Sequence, residues 1–538
     1  MRRRTSFLVA GLVVLVAAAI VAVDLRVPPV EPPAPPTAPD GVEPTAGTWT
    51  CAVGDGRVGT SLQVVAARPG VLGDPPATTE VATFEAGELR SRPLPQLFPG
   101  SHAATPVRGG EELGVWTRWL SGPVAVQREW RLTGGEDVPP GTVTGGCPRA
   151  IAETWVVPGL STAGGHDARL RLANPYRTDA TLAVRFVTPA GPEAPIALRN
   201  LTVPARGIRE IEVNEVLPER DDLAAVVEVV AGRIAVEGYQ LTRAAIGDVD
   251  GASLLAASTA ASEVWTVPWV ADDEDVSSWL WVTNLGERPA LVELTLNTRG
   301  GGIVPDGLAE VEVPPGQLRR VDLRGTLPGG STSAAITVRS DGAPVHVSAA
   351  TRVTAEEVKD TGFVVQLAVA EPAATWVVTG GDTAGREEEL RLVNPGSEPA
   401  QVDIGLFDGV SARRPPALQE LRVPAGSTRT VDLAAVLVGD VGSWSAFVTA
   451  SMGEVVVGRV GSGGQDALHL VAVPGTPSTA WSPVGGGLAA RFEPGAVQRL
   501  GTVLGITAPD PLAPLAPRDD GGLPSPPEED ATTEPASP

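Results

Sequence analysis

The chain has 538 residues, enough for about three to five domains of ordinary size. Its formal net charge of −23 excludes nucleic acid as an expected partner, because an acidic protein repels phosphate backbones. With 43% hydrophobic residues the chain can form real cores, and its 62 glycines and 52 prolines are typical of many turns between short strands.

The first 24 residues predict a membrane or signal segment. Three arginines at positions 2–4 precede an apolar run whose core covers residues 7–23. As a helix this core would span about 25 Å, at the short end for a membrane crossing. The arginines place the N-terminus in the cytoplasm and the rest of the chain outside. A cleaved signal peptide with small residues at 17–19 is the alternative. The run continues beyond those residues, which favours a single-pass anchor in the cell membrane over secretion.

Two segments predict extended or disordered chain. Residues 25–46 are rich in proline, which favours a semi-rigid polyproline spacer. Residues 508–538 combine proline, acidic residues, serine and threonine with few large apolar side chains, so we expect a disordered tail.

An internal repeat is the strongest feature of the sequence. Similar segments begin at a tryptophan every 110 or 111 residues, and about 19 residues later a strand-like stretch ends in asparagine before a turn. The tryptophans are Trp155, Trp265 and Trp376, and the asparagines are Asn174, Asn284 and Asn394. The repeats predict domains at residues 151–262, 263–373 and 374–507, the last with extra terminal strands, and Trp481 could open a closing strand there.

Alternation of apolar and polar residues predicts about seven short strands in each repeat. Each repeat also contains a predicted hairpin, centred on Gly232, Gly342 and Gly453. The predicted hairpin strands are 225–230 with 234–241, 334–338 with 345–353, and 446–450 with 455–460. Residues 47–150 open at Trp49 and predict a diverged fourth domain with a hairpin of 113–119 and 124–132. The expected fold is therefore all-β: tandem immunoglobulin-like β-sandwiches after one N-terminal transmembrane helix.

The two cysteines, Cys51 and Cys147, lie in this first domain. Outside the cytoplasm a disulfide between them is the expected state. It would close a loop of roughly a hundred residues, worth up to about 4–5 kcal/mol in the chain-entropy model. Two free buried thiols are the alternative, and two cysteines without a nearby histidine cluster do not predict a zinc site.

Together these features resemble an uncharacterised family of actinobacterial envelope proteins. The resemblance is carried by the three tryptophans, by the asparagine turns and by the cysteine pair after one membrane segment. It covers residues 47 to about 507. It implies an envelope location and tandem sandwich repeats, and no reaction or ligand.

Residues for chemistry are few. His102, His166, His346 and His469 lie in different parts of the chain, so we expect no catalytic triad, no histidine metal site and no cofactor. We predict that His346 is structural and His166 exposed. Paired carboxylates could still serve a glycoside hydrolase, so that class stays open. Acidic runs at 272–275 and 387–389 leave calcium open as well, although such runs are usually solvated loops.

Aromatic residues are the other candidate for binding. Trp269, Trp279 and Trp281 crowd into the second repeat and could stack on sugar rings, although large aromatic side chains are mostly buried. We therefore expect a non-catalytic, membrane-anchored scaffold or adhesion protein of the envelope, whose partner is an envelope protein or a glycan. The alternative is a carbohydrate-binding accessory of cell-wall or polysaccharide assembly. The sequence leaves open whether the domains form a rigid rod or a hinged chain.

Overall fold

The computed structural model describes residues 46–478 without 53–59, 71–73, 108–112, 134–139, 149–151, 244–248, 356–360, 381–382, 384–385, 438–440 and 464–469. The predicted membrane segment, the proline-rich spacer except residue 46, Trp481, His469 and the predicted tail lie outside these residues. In the part that is described, no helix is long and apolar enough to cross a membrane.

The strands fall into four consecutive groups, which we call modules 1 to 4. Module 1 contains β1 (Ala46–Cys51), β2 (Thr60–Arg68), β3 (Thr78–Glu85), β4 (Glu88–Pro93), β5 (Ser101–Val107), β6 (Gly114–Leu120), β7 (Ala125–Thr133) and β8 (Pro140–Gly146). Module 2 contains β9 (Thr154–Leu160), β10 (His166–Asn174), β11 (Ala180–Thr188), β12 (Gly191–Glu193), β13 (Leu201–Val203), β14 (Gly207–Glu212), β15 (Leu223–Ala231), β16 (Ala235–Thr242) and β17 (Gly251–Ala256).

Modules 3 and 4 continue the same order. Module 3 contains β18 (Val264–Ala271), β19 (Val276–Asn284), β20 (Ala290–Thr298), β21 (Gly301–Ile303), β22 (Val311–Val313), β23 (Gln317–Asp322), β24 (Ser333–Asp341), β25 (His346–Val353) and β26 (Gly362–Leu367). Module 4 contains β27 (Thr375–Gly380), β28 (Arg386–Asn394), β29 (Ala400–Phe407), β30 (Ala412–Arg413), β31 (Leu421–Val423), β32 (Ser427–Asp432), β33 (Trp444–Met452), β34 (Val456–Gly463), β35 (Val471–Pro474) and β36 (Thr476–Pro477). Among the residues that the structure describes, helix is limited to α1 (Val213–Val216) and 3-10 turns at Ile196–Leu198 and Pro416–Leu418.

Each module consists of two antiparallel sheets. Their strand orders are β1-β6-β3-β4 and β5-β2-β7-β8 in module 1, β12-β11-β15-β9 and β14-β10-β16-β17 in module 2, β18-β24-β20-β21 and β23-β19-β25-β26 in module 3, and β30-β29-β33-β27-β36 and β32-β28-β34-β35 in module 4. The short strands β13, β22 and β31 pair with β11, β20 and β29. The regular structure of the described residues is therefore nearly all β, as the sequence predicted.

The predicted hairpins appear within one to three residues of their expected ends, for example β15 and β16 in place of 225–230 and 234–241. The prediction of about seven strands in each repeat was too low, since modules 2 and 3 contain nine described strands each. The additional strands include β12, β13, β21 and β22, which have three residues each. A three-residue strand is too short to show an alternating pattern, so the sequence does not reveal it.

The tryptophan at the start of each module lies in the core and anchors the first strand. Trp49, Trp155, Trp265 and Trp376 are at most 3% exposed. The indole Nε1 groups donate to backbone carbonyls, namely Trp49 to Val124, Trp155 to Ala152, Trp265 to Val345, and Trp376 to Ala373 and Val455. Trp49 therefore plays the same part in module 1 as the repeat tryptophans do in the later modules.

The repeat asparagines make the same three hydrogen bonds in modules 2, 3 and 4. In module 3 the Asn284 Oδ1 accepts from the Gly286 amide at 2.8 Å, and its Nδ2 donates to the Arg288 and Val313 carbonyls at 2.8 and 3.0 Å. Asn174 and Asn394 make the equivalent bonds. These side chains are buried. Each asparagine therefore provides hydrogen-bond partners for backbone groups of the turn that are not paired within a sheet.

The predicted disulfide is confirmed. Cys51 at the end of β1 is bonded to Cys147, one residue after β8, with 4.9 Å between the two Cα atoms. Because β1 and β8 are edge strands of the two sheets of module 1, the bond joins the sheets at one end.

The four modules close into a ring. The strands β8, β17, β26 and β35 pack side by side about a common axis, and β35 returns to contact β8. We call these four strands the axial strands, and we call the contact between two neighbouring modules a joint. At each joint, the first strand of one module contacts the strand that pairs with the axial strand of the next module. The pairs are β1 with β16, β9 with β25, β18 with β34, and β27 with β7. All described residues belong to one compact body. The arrangement is therefore neither a rod nor a hinged chain.

Apolar side chains are shared across every joint. Trp130 of module 1 packs in one cluster with Tyr239 of module 2, and Trp281 of module 3 lies in the core of module 2. Trp269 of module 3 clusters with Val460 of module 4, and Phe447 of module 4 joins the core of module 1. The joint between modules 4 and 1, which closes the ring, is thus built in the same way as the other three.

Candidate functional site on the ring axis

A cavity of about 350 Å³ lies on the axis, at the carboxyl ends of the four axial strands. All four modules contribute to its wall, through residues such as Trp49, Trp155, Leu254, Val365, Gln366 and Pro477. This volume lies within the range of small-molecule sites in proteins. Deeper on the axis the strands leave a hollow of only about 10 Å³, which holds no more than about one water molecule. The cavity is therefore a closed-ended pocket on the axis.

A buried ion pair lies beside the cavity at the joint between modules 1 and 2. The Arg128 Nη1 donates to both oxygens of Glu237 at 2.8 and 2.6 Å, and the Ala52 amide donates to the same carboxylate at 2.6 Å. The two side chains are 2% and 3% exposed. Because both oxygens already accept hydrogen bonds, Glu237 holds the joint together and is not a free carboxylate. Glu237 is the acidic residue among the described lining of the cavity, so the pair that a glycosidase requires is not assembled there.

At three joints, the residue three positions after the first tryptophan of a module contacts a residue of the adjacent module that suits its backbone. Ala52 and Thr379 have a free backbone N–H, and each donates to a side-chain oxygen of the adjacent module, on Glu237 and on Gln127. Pro268, at the same position, has no N–H and lies against Gly458, which has no side chain. At these three joints a donor is matched by an acceptor, and the proline without a donor is matched by a glycine.

Gln366 on the cavity wall has an unused acceptor. The residue is 2% exposed, and its Nε2 donates to the Trp269 carbonyl at 2.6 Å. That carbonyl requires a donor, which fixes the orientation of the amide. The Oε1 has no hydrogen-bond partner among the described residues. An unpaired buried oxygen costs about 1–3 kcal/mol.

The three tryptophans considered for sugar stacking are buried. Trp269, Trp279 and Trp281 are 7%, 8% and 1% exposed. The rings of Trp279 and Trp281 meet edge to face, at 83° and 5.5 Å between centroids. Trp281 Nε1 donates to Asp222 of module 2 at 2.6 Å, and the Arg320 guanidinium covers the ring of Trp279. These side chains do not form a flat, solvent-facing platform. Trp279 and Trp281 lie in β19, which packs against module 2, whereas Trp269 lies in β18 and packs against module 4.

The described histidines lie at three separate places. Burial lowers the pKa of His102 and of His346 to about 4, with Asp408 opposing the shift at His102, and it lowers the pKa of His166 as well. His346 is buried, and its Nδ1 is paired with the Ser258 hydroxyl. His166 is half-buried against Thr242, so it is more enclosed than expected. His102 of module 1 contacts the hydroxyls of Ser443 and Ser445 of module 4.

The two acidic runs come together at a groove of about 380 Å³ between modules 3 and 4, lined by Asp273, Glu387 and Glu389 among others. Over the residues that the structure describes, no group of three or more acidic, histidine or cysteine side chains could hold a metal ion. Glu388 is instead fully engaged with Arg459, at 2.6 and 2.8 Å, within module 4.

Arg128, Glu237 and Gln366 are not among the residues that the sequence pattern singled out. A signal was present, since each is a polar residue at a buried position of a strand with apolar neighbours, where an unpaired group would be costly. The pattern alone does not identify the partner.

Comparison with known proteins identifies a family for this chain but does not identify an activity. No curated protein shows significant similarity to the chain. Among solved structures, the crystal structure of Thermotoga maritima 1070 aligns at 17% identity over 21% of this chain and 96% of that chain, with a TM-score of 0.18. Residues 122–237 and 235–492 match the family of unknown function DUF5719, and the chain belongs to that family.

Proposed function

We propose that this protein is a non-catalytic, extracytoplasmic scaffold of the bacterial cell envelope, held at the membrane by the apolar segment at residues 7–23. In this proposal the modules are immunoglobulin-like sandwiches, and the actinobacterial envelope family is the correct wider group. The observation that carries the proposal is the closed ring, in which every joint shares an apolar cluster. Such a body presents its surfaces in fixed relative positions.

The closed ring also explains how a chain of repeats would avoid polymerising. The joints are head to tail, and head-to-tail contacts produce open filaments unless they close. Here module 4 occupies the face of module 1 that another copy would need. The outer edge strands β4 and β30 are largely exposed, and exposed edges are surfaces to which a partner can add a strand.

We propose an envelope protein as the partner in preference to a glycan, because the tryptophans suited to stacking are buried at two joints between modules. The location can be tested by fractionating cells that make the full chain. We expect it in the membrane fraction, extracted by detergent and not by high salt. Protease added outside the cytoplasmic membrane should digest the chain after residue 46. A cytoplasmic or freely soluble chain would contradict the proposal.

The partner class can be tested with residues 46–478 on an array of envelope glycans, with and without calcium. We expect no saturable glycan binding. Saturable binding that is lost in Trp279→Ala would instead support the carbohydrate-binding alternative.

A further inference from the structure

Aliphatic side chains remain partly exposed inside the cavity on the ring axis. Leu254 and Ala256 lie two residues apart on β17, so they share one face of the strand. Leu254 is half-buried and Ala256 is exposed, and Leu367 of β26 is half-buried as well. All three line the cavity. Covering such surface with an apolar group is favourable in proportion to the area removed from water, so the wall favours an apolar occupant.

The described wall also lacks a free charge. Apart from the disulfide-bonded Cys147, the ionisable side chain among the described lining residues is Glu237, and Arg128 donates to both of its oxygens. The indole N–H groups of Trp49 and Trp155 already donate to backbone carbonyls. A charged ligand would lose water here without gaining a partner of opposite charge, which is costly. The wall therefore favours an uncharged occupant.

The volume of the cavity limits the size of the occupant. An apolar cavity of about 150 Å³ engineered in another protein holds one benzene molecule. The axial cavity has about 350 Å³, roughly twice that volume. It therefore has room for about two fused aromatic rings or for an aliphatic chain of similar volume. The wall comes from all four modules, so a ligand of this size would contact each of them.

We propose that the axial cavity is a binding site for a small, uncharged, apolar molecule of about this size. An aromatic ring system and an aliphatic chain share this chemistry, and titration with one probe of each kind distinguishes them. Because the ligand binds the closed ring and not the unfolded chain, it stabilises the ring by mass action. The site does not depend on where the protein is located, so its test and the test of the envelope location can fail separately.

Fluorine NMR on the full chain labelled with 5-fluorotryptophan tests the proposal. The resonances of Trp49 and Trp155, which line the cavity, are those that disappear in Trp49→Phe and Trp155→Phe. We expect 2-naphthol or 1-octanol to shift both resonances saturably. The resonance of Trp269, which lies at the joint between modules 3 and 4, should stay in place. The anion 2-naphthalenesulfonate has the same two rings as 2-naphthol, and it should require at least about tenfold higher concentrations, because its charge finds no partner.

Ala256→Trp is the blocking variant. Ala256 lines the cavity and is exposed, so a larger side chain there fills the cavity without overpacking a core. Val410→Trp is the matched control, because Val410 is 90% exposed and lies outside the cavity lining. We expect the shifts to be lost in Ala256→Trp and retained in Val410→Trp, while the other tryptophan resonances stay in place and show that both variants are folded.

Three results would overturn the proposal. The first is that neither 2-naphthol nor 1-octanol shifts the resonances of Trp49 and Trp155. The second is that the shifts persist in Ala256→Trp, since the probe would then bind elsewhere. The third is that the sulfonate acts at the same concentration as 2-naphthol, since the site would then not select an uncharged ligand.

Discussion

Arg128 of module 1 and Glu237 of module 2 form an ion pair across the first joint, with 2.6 Å between Nη1 and Oε2. They lie 109 residues apart in the chain, and both are almost completely buried. A buried pair of this kind is a weak source of stability by itself, but either charge left alone in the interior is costly. The pair therefore favours one alignment of the two modules over others.

Removing one member of this pair should destabilise the ring. We expect Glu237→Ala to lower the free energy of unfolding by about 3–5 kcal/mol, because Arg128 is left buried and unpaired. Urea unfolding followed by tryptophan fluorescence measures the change. The exposed pair of Arg90 and Glu88, with side chains 82% and 69% exposed, is the matched control. Glu88→Ala should have an effect of less than about 1 kcal/mol. Equal effects of the two substitutions would show that the buried pair has no special role.

The asparagine bonds predict three similar losses of stability. Asn174→Ala, Asn284→Ala and Asn394→Ala should each destabilise the protein by about 2–4 kcal/mol, because each leaves buried backbone groups unsatisfied. Asn284→Asp keeps the acceptor and loses both donors, so we expect it to be destabilising as well. Thermal unfolding of the four variants provides the comparison. A variant with unchanged stability would contradict the structural role of that asparagine.

Reduction of the disulfide should lower the free energy of unfolding of the protein. The bond closes a loop with a sequence separation of 96 residues, and its loss is expected to cost about 2–5 kcal/mol. Unfolding with and without reductant measures this cost. The double variant Cys51→Ser with Cys147→Ser is the control, since a reductant should not affect it. If wild type and double variant respond equally, reduction acts elsewhere.

Acid should lower the free energy of unfolding, because the buried histidines resist protonation in the folded state. Burial lowers the pKa of His102 and His346 to about 4, from 6.5. Between these values the unfolded chain binds protons that the folded chain does not, so stability is full above pH 6.5 and falls as the pH decreases toward 4. Each histidine contributes at most about 3 kcal/mol to this loss. Urea unfolding at several pH values should show that the free energy of unfolding of His102→Gln changes less with pH than that of the wild type. An unchanged slope would mean that His102 already protonates normally in the folded state.

The strands and the asparagine turns could be predicted from the sequence because their causes are local. Alternation of apolar residues identifies a strand such as β20, and Asn284 before Leu285 and Gly286 identifies the turn that follows. The disulfide could be predicted because the chain has only two cysteines.

The ring and its cavity could not be predicted, because they depend on contacts between residues that lie far apart in the sequence. Gln127 accepts from the Thr379 amide across 252 residues, and no periodicity relates the two positions. The same limitation affected Trp279 and Trp281, whose crowding suggested a binding surface. Their burial depends on a neighbouring module that a reading of one repeat does not include.

Small-angle X-ray scattering on residues 46–478 distinguishes one closed ring of four modules from an open array. After circular dichroism has shown that this fragment is folded, the closed ring predicts a radius of gyration near that of a single compact body, about 22 Å for a chain of this length. A linear array of four separate modules would give roughly 40 Å. A value near 22 Å with a single-peaked distance distribution is the expected result, and a value near 40 Å would contradict the ring.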